Sequence, residues 1–170
     1  MDRYRKSAVE AFEKAETLVR AWLEEERITR VDVYLNGLGD VGDTRCRLTT
    51  DGERKSVHID RNAGSAINKL RGMQALSGRG AWFYSHLWME MPEGVLHQES
   101  DWMCEPDMGF DEVPLGSCKT ELDRYPRDQE FIPDWLRDRV ERWRLERGSV
   151  VARRIVELRE ESRLEREECL

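Results

Sequence analysis

The chain has no run of 18 uninterrupted apolar residues, so no segment reads as a membrane-spanning helix. Its amino terminus, MDRYRKSAVEAFEKAE, carries no apolar stretch of signal-peptide length, and a cytoplasmic location is the default expectation. Cysteine is sparse. Cys46, Cys104, Cys118 and Cys169 stand far apart with no C-x-x-C pair, which predicts free thiols in a reducing compartment. Lysine is scarce as well, 5 against 23 arginines, and acidic residues outnumber basic ones 35 to 28. The formal charge of −7 disfavours nucleic acid and anionic membranes as partners, because phosphate contacts need clustered Lys and Arg. A basic protein is the better expectation. Serine nucleophile elbows and P-loops are also missing.

What remains is enough for one core. A chain of 170 residues with six Trp, four Phe and four Tyr exceeds what a disordered sequence carries, although 37% of its residues are charged. We expect a single domain over residues 1–170 with an α+β fold: an antiparallel sheet of about five strands, packed by an N-terminal helix, a short middle helix and a long C-terminal helix. Ser7-Ala-Val-Glu10 has the form of a capping box, and Ala8, Phe12, Ala15, Val19 and Trp22 follow at helical spacing to about Arg27. Alternation predicts strands over 30–35, 44–50 and 55–59, the last two joined by the Asp51-Gly52 turn. A short helix is expected from near Ser65, then a central apolar strand over 81–91 and its hairpin partner over 95–102. An acidic loop over 103–116 and a short helix near 119–124 come next, the helix ending before Pro126. Pro133 suits a first helical position, and Leu136, Val140, Trp143, Val151, Ile155 and Leu158 predict a long helix in which Gly148 is a candidate kink. This helix and the N-terminal one are expected to cover one face of the sheet. Residues 159–170 have almost no apolar face and read as a charged helical tail.

Charge is concentrated in one place. Between Glu90 and Asp134 the chain packs 13 acidic residues against 3 basic ones, a formal charge of −10. Within it, Glu99, Asp101, Glu105, Asp107, Asp111 and Glu112 could supply a paired acid and base or hold a hard cation. No EF-hand spacing occurs, and a solvated loop is the commoner fate of such a run. Gly37-Leu-Gly-Asp-Val-Gly42 matches G-x-G-x-x-G, with Asp60 at a suitable distance, but alternating residues and a turn follow it where a dinucleotide site needs a helix. These glycines read as a hairpin loop. His58, His86 and His97 lie on predicted strands without metal-ligand spacing. We therefore expect no enzyme, metal or cofactor. Trp22, Trp82, Trp88 and Trp143 suit core packing; Trp102, flanked by carboxylates, suits an interface anchor as well as it suits a core.

Three segments then carry a resemblance: Asp101-Trp102-x-x-Glu105-Pro106, Glu121-Leu122-x-x-Tyr125-Pro126-Arg127 and Ile132-Pro133-x-Trp135-Leu136. Together with the order of elements, they resemble the YezG-like immunity proteins of bacterial polymorphic and contact-dependent toxin systems. The resemblance covers mainly residues 82–136; the extension after Gly148 and Met103-Cys104 depart from it. It implies stoichiometric inhibition of a cognate toxin, a nuclease or an NAD-targeting, ADP-ribosylating domain. Local charge, the placing of Trp102 among carboxylates and the resemblance of Glu105-Pro106 together give an expected partner-binding face at Glu99, Asp101, Trp102, Glu105, Asp107, Asp111 and Glu112. An acidic face would steer a basic toxin and keep out its substrate. A homodimer is compatible with the sequence. A small enzyme using the acidic loop and a general protein-interaction module are the alternatives.

Overall fold

A computed structural model describes residues 2–109 and 113–168, with side chains over 7–109, over 113–150 and at 154. Helix α1 (Asp2–Glu26) begins upstream of the predicted capping box, so Ser7 lies inside the helix. Ala15, Val19 and Leu23, four residues apart, form its fully buried stripe. The helix ends in a Schellman arrangement: Ile28 N donates to Leu23 O at 2.9 Å and Arg27 N to Glu24 O at 3.3 Å, with Arg27 at φ 54°. Ile28 and Leu23 both bury their side chains there, the apolar contact that accompanies this stop.

Strands β1 (Arg30–Leu38), β2 (Val41–Thr50), β3 (Glu53–Val57), β4 (Tyr84–Glu90) and β5 (Leu96–Asp101) form one antiparallel sheet in the order β3-β2-β1-β4-β5. The expected five-stranded α+β architecture is therefore present, with the apolar β4 inside the sheet. Asp51 and Gly52, at φ 53° and 81°, make the β2–β3 turn with both residues in the left-handed region. The Gly37–Gly42 stretch makes the β1–β2 hairpin, and β2 rather than a helix follows it. Asp60 instead caps helix α2 (Arg61–Met73), accepting from Asn62 N at 2.8 Å and Ala63 N at 2.9 Å. This cap starts the helix four residues before Ser65.

Pleating sorts the residues. Val31, Val33 and Leu35 of β1, Leu87 and Met89 of β4, Cys46 of β2 and Leu96 of β5 join α1 and α2 in the main core, with Trp82 and Ile67. A second cluster forms at one end of the sheet, where Leu38 and Phe83 meet helix α3 (Leu115–Arg124) through Cys118 and helix α4 (Asp134–Glu168) through Leu136 and Val140. The expectation that the C-terminal helix covers the sheet face is corrected here: α2 takes that place beside α1, and α4 packs on α3 instead. The physical reason is length. Residues 115–131 add a helix and a turn between the sheet and Pro133, so the next apolar stripe meets α3 first. Gly148 does not interrupt α4, which runs through it.

A buried charge cluster ties the two cores together. Glu121, with no exposed surface, accepts from Arg71 Nη2 at 2.8 Å through each carboxylate oxygen and from Gly39 N at 2.7 Å. Arg71 also donates from Nε to Trp82 O at 2.8 Å. Arg127 lies 3.7 Å from Glu121, donates to Trp102 O at 2.9 Å and to Ala81 O, and stands over the Phe83 ring at 4.2 Å. Burial lowers the Arg127 guanidinium to about 10. Two residues of the Glu121–Arg127 segment are thus interior struts rather than surface groups.

Candidate functional site

The face of the sheet opposite α1 and α2 is not covered by any helix among the described residues. It is built from the alternate positions: Arg45 and Arg47 of β2, Asp32, Tyr34 and Asn36 of β1, Tyr84, His86 and Trp88 of β4, and His97, Glu99 and Asp101 of β5. Solvated sheet faces are usually polar throughout. This one carries a row of rings. Tyr34 stacks on His86 at 4.5 Å with planes 9° apart, His86 meets Trp88 at 4.9 Å, and Trp88 stacks on His97 at 5.2 Å and 14°. The Arg47 guanidinium lies 5.7 Å from the Tyr34 ring centre.

Beneath the rings Asp32 is 1% exposed. It accepts from Arg30 Nε at 2.9 Å and Nη2 at 2.8 Å, approaches His86 Nε2 at 3.0 Å, and accepts from Arg54 at 3.4 Å. The Arg30 hydrogen bonds hold its carboxyl at about 2, against the opposing effect of burial and with help from His86. An ionised carboxylate thereby fixes the ring that anchors the stack.

Beside Tyr34 the face deepens into a cleft of about 500 Å³, bounded by Asn36, Arg45, Arg47 and Tyr84 on the sheet and by Asp101, Cys104, Glu105 and Asp107 on the acidic segment. Local hydrogen bonds hold that wall in shape. Asp101 accepts from Met103 N at 2.7 Å and Cys104 N at 3.0 Å, an Asx turn. Asp107 N donates to Asn36 Oδ1 at 3.1 Å, and Trp135 Nε1 donates to Met103 O at 2.9 Å. Glu105 pairs with Arg139 at 2.5 Å, and Asp107 with Arg45 at 3.1 Å. The Gly109 amide, then Arg45, hold the Asp107 carboxyl below its ordinary value. The Asp107 partner, first, and then Asp43 raise the Arg45 guanidinium.

Of the residues singled out from sequence, Asp101, Glu105 and Asp107 come together along this rim, and Glu99 stands farther along β5, opposite His86. Asp111 and Glu112 lie outside the described residues. Trp102 goes elsewhere: pleating turns it away from Asp101, and it packs half-buried against the main core with Arg79 6.0 Å from its ring. Its buried indole N–H has no hydrogen-bond partner among the described residues. Sequence reasoning missed Tyr34, His86 and Trp88 as one surface and placed Trp88 in the core. The available signal was the alternation of β1, in which Asp32 and Tyr34 fall on the non-core side.

The thiol of the site is held in its neutral form. Burial pushes the Cys104 thiol up to about 11, so at neutral pH it is protonated and a poor nucleophile. Burial likewise raises Cys118 to about 11 and Cys46 to about 12. Among the described residues no group of three or more His, Cys, Asp or Glu is placed to hold a metal ion, and no helix is long and apolar enough to cross a membrane. The chain matches no family model and no curated protein.

Proposed function

We propose that this chain is an immunity protein that neutralises a cognate toxin by stoichiometric binding, with Glu99 and the rim of Asp101, Glu105 and Asp107 as the centre of the contact. The observation that carries the reading is the braced acidic wall beside an uncovered sheet face. Asp107 has 71% of its side chain exposed while its segment is tied to β1, β2 and α4. A preorganised rim loses little conformational entropy on binding, and exposed carboxylates steer a basic partner toward it. The resemblance of Asp101-Trp102-x-x-Glu105-Pro106 to YezG-like immunity proteins supports the same reading. A cytoplasmic site of action, where a toxin made by the same cell is met before export, belongs to this proposal.

The test is purification of the tagged chain from the cell that encodes it, with mass spectrometry of what remains bound. A basic toxin domain in a one-to-one complex, together with protection of cells expressing that domain, is the expected result. Recovery of the chain without such a partner, and no protection against toxin domains encoded beside it, would overturn the proposal.

A further inference from the structure

We propose that the uncovered sheet face is also a symmetric self-association surface, in which Arg47 of each copy meets Glu99 of the other across the Tyr34–His86–Trp88 stack. The charges of this face are mostly satisfied within the chain. Asp32 is held by Arg30 and Arg54, Glu90 pairs with Arg30, and Arg45 pairs with Asp43 and Asp107. Asp101 accepts from two backbone amides. Arg47 and Glu99 are the exceptions: both are exposed, and neither makes an ion pair with another described residue.

Their placement is self-complementary. Arg47 stands opposite Asp32 on β2, and Glu99 stands opposite His86 on β5, so they flank the ring stack from opposite sides, roughly 15 Å apart at ordinary strand spacing. The point midway between them falls between β1 and β4, beside Tyr34, His86 and Trp88. A two-fold axis through that point, lying in the plane of contact and perpendicular to the line joining the two residues, carries each Arg47 onto the partner copy's Glu99. It also sets the two ring stacks against one another. This is the isologous geometry in which one patch satisfies itself twice. The face measures roughly 24 by 23 Å at antiparallel strand spacing and rise, a footprint of about 550 Å² per partner, below the standard of about 800 Å² and in the range of weak, reversible contacts. A nucleic-acid occupant fits less well, because the same face also carries Asp43, Glu90, Glu99 and Asp101.

The inference goes beyond the immunity reading; because both contacts use Glu99, the dimer is the form of the chain without toxin. It is tested on the purified chain alone, so its failure leaves that reading standing. Sedimentation velocity over a concentration series should give a reversible dimer for the natural chain. Arg47→Glu and Glu99→Arg should each weaken it by about tenfold or more, since each sets two like charges face to face. Mixing the two variants should restore the dimer. In the mixed pair one contact joins the two substituted positions, which again carry opposite charges, and the other keeps the natural Arg47 with Glu99. Circular dichroism of both variants should match the natural chain, as both positions are exposed. A natural chain that stays monomeric overturns the proposal, as does a dimer indifferent to both variants or a mixture that fails to associate.

Discussion

Arg71 and Glu121, 50 residues apart in sequence, meet in the interior with one guanidinium nitrogen 2.8 Å from each carboxylate oxygen. The pair joins α2 to α3, and through Gly39 N it fastens the β1–β2 hairpin to both. Replacing a well-bonded buried pair by apolar groups is often tolerated; removing one partner is not, because a bare charge stays buried. Glu121→Ala leaves Arg71 and Arg127 without their shared carboxylate and is expected to cost about 3–5 kcal/mol. Urea unfolding measures this directly, and a loss below about 1 kcal/mol would show that the cluster does not hold the two cores together.

Two left-handed glycines should separate strain from crowding. Gly39, at φ 59°, would set an added Cβ 2.3 Å from Ser117 O, whereas Gly52, at φ 81°, has nothing within 4 Å of that position. Gly52→Ala should cost only the backbone preference, about 1–2 kcal/mol. Gly39→Ala should cost clearly more, since α3 must move. Equal melting temperatures for the two variants would contradict this contact.

Tryptophans on the two faces should respond differently. Trp82 is 1% exposed and donates from Nε1 to Gln74 at 2.8 Å, so Trp82→Ala should cost about 3–5 kcal/mol. Trp88 lies on the open face between His86 and His97, and its loss should cost less than about 2 kcal/mol while weakening self-association. Thermal melts with sedimentation of both variants distinguish the two roles.

Acid should act through Asp32. Its carboxyl titrates below the ordinary 3.8, at about 2 in the folded chain, so the unfolded chain takes up the proton first. The stabilisation is fully present above pH about 4 and is lost as pH falls through about 2. Asp32→Asn should therefore lower the melting temperature at pH 6, and the gap from the natural chain should narrow between pH 4 and pH 2. A gap that does not change with pH would remove ionisation of Asp32 as its source.

Against the toxin, charge and packing should separate. Asp107→Lys, which leaves the Arg47–Glu99 contact untouched, should slow association, and the effect should shrink with salt, which shortens the screening length to about 8 Å near 0.15 M. Trp102→Ala should lower stability instead, since its ring packs on the core. Stopped-flow rates at two ionic strengths check both, and an unchanged association rate would move the contact away from the rim.

Most of the framework was legible because local chemistry enforces it. Asp51-Gly52 requires a tight turn, the alternation of Val31, Val33 and Leu35 requires one buried sheet face, and the four-residue spacing of Ala15, Val19 and Leu23 requires a helix with one apolar side. The acidic segment was equally visible, as composition alone. Its pairing with Arg45 and Arg139 was not, because Arg45 lies 62 residues before Asp107 and Arg139 lies on α4, far along the chain from the Glu105 loop. The capping function of Asp60 was masked by a motif spacing that shares its position. Trp88 and Trp102 have the same local character as buried tryptophans, and only the register of β4 and β5 decides which face each ring takes. Sequence thus determined the elements, their order and the excess charge. The tertiary structure decided which carboxylates face solvent, which arginines are interior struts and which side of the sheet stays open, because pleating and long-range ion pairs depend on neighbours that no local window contains.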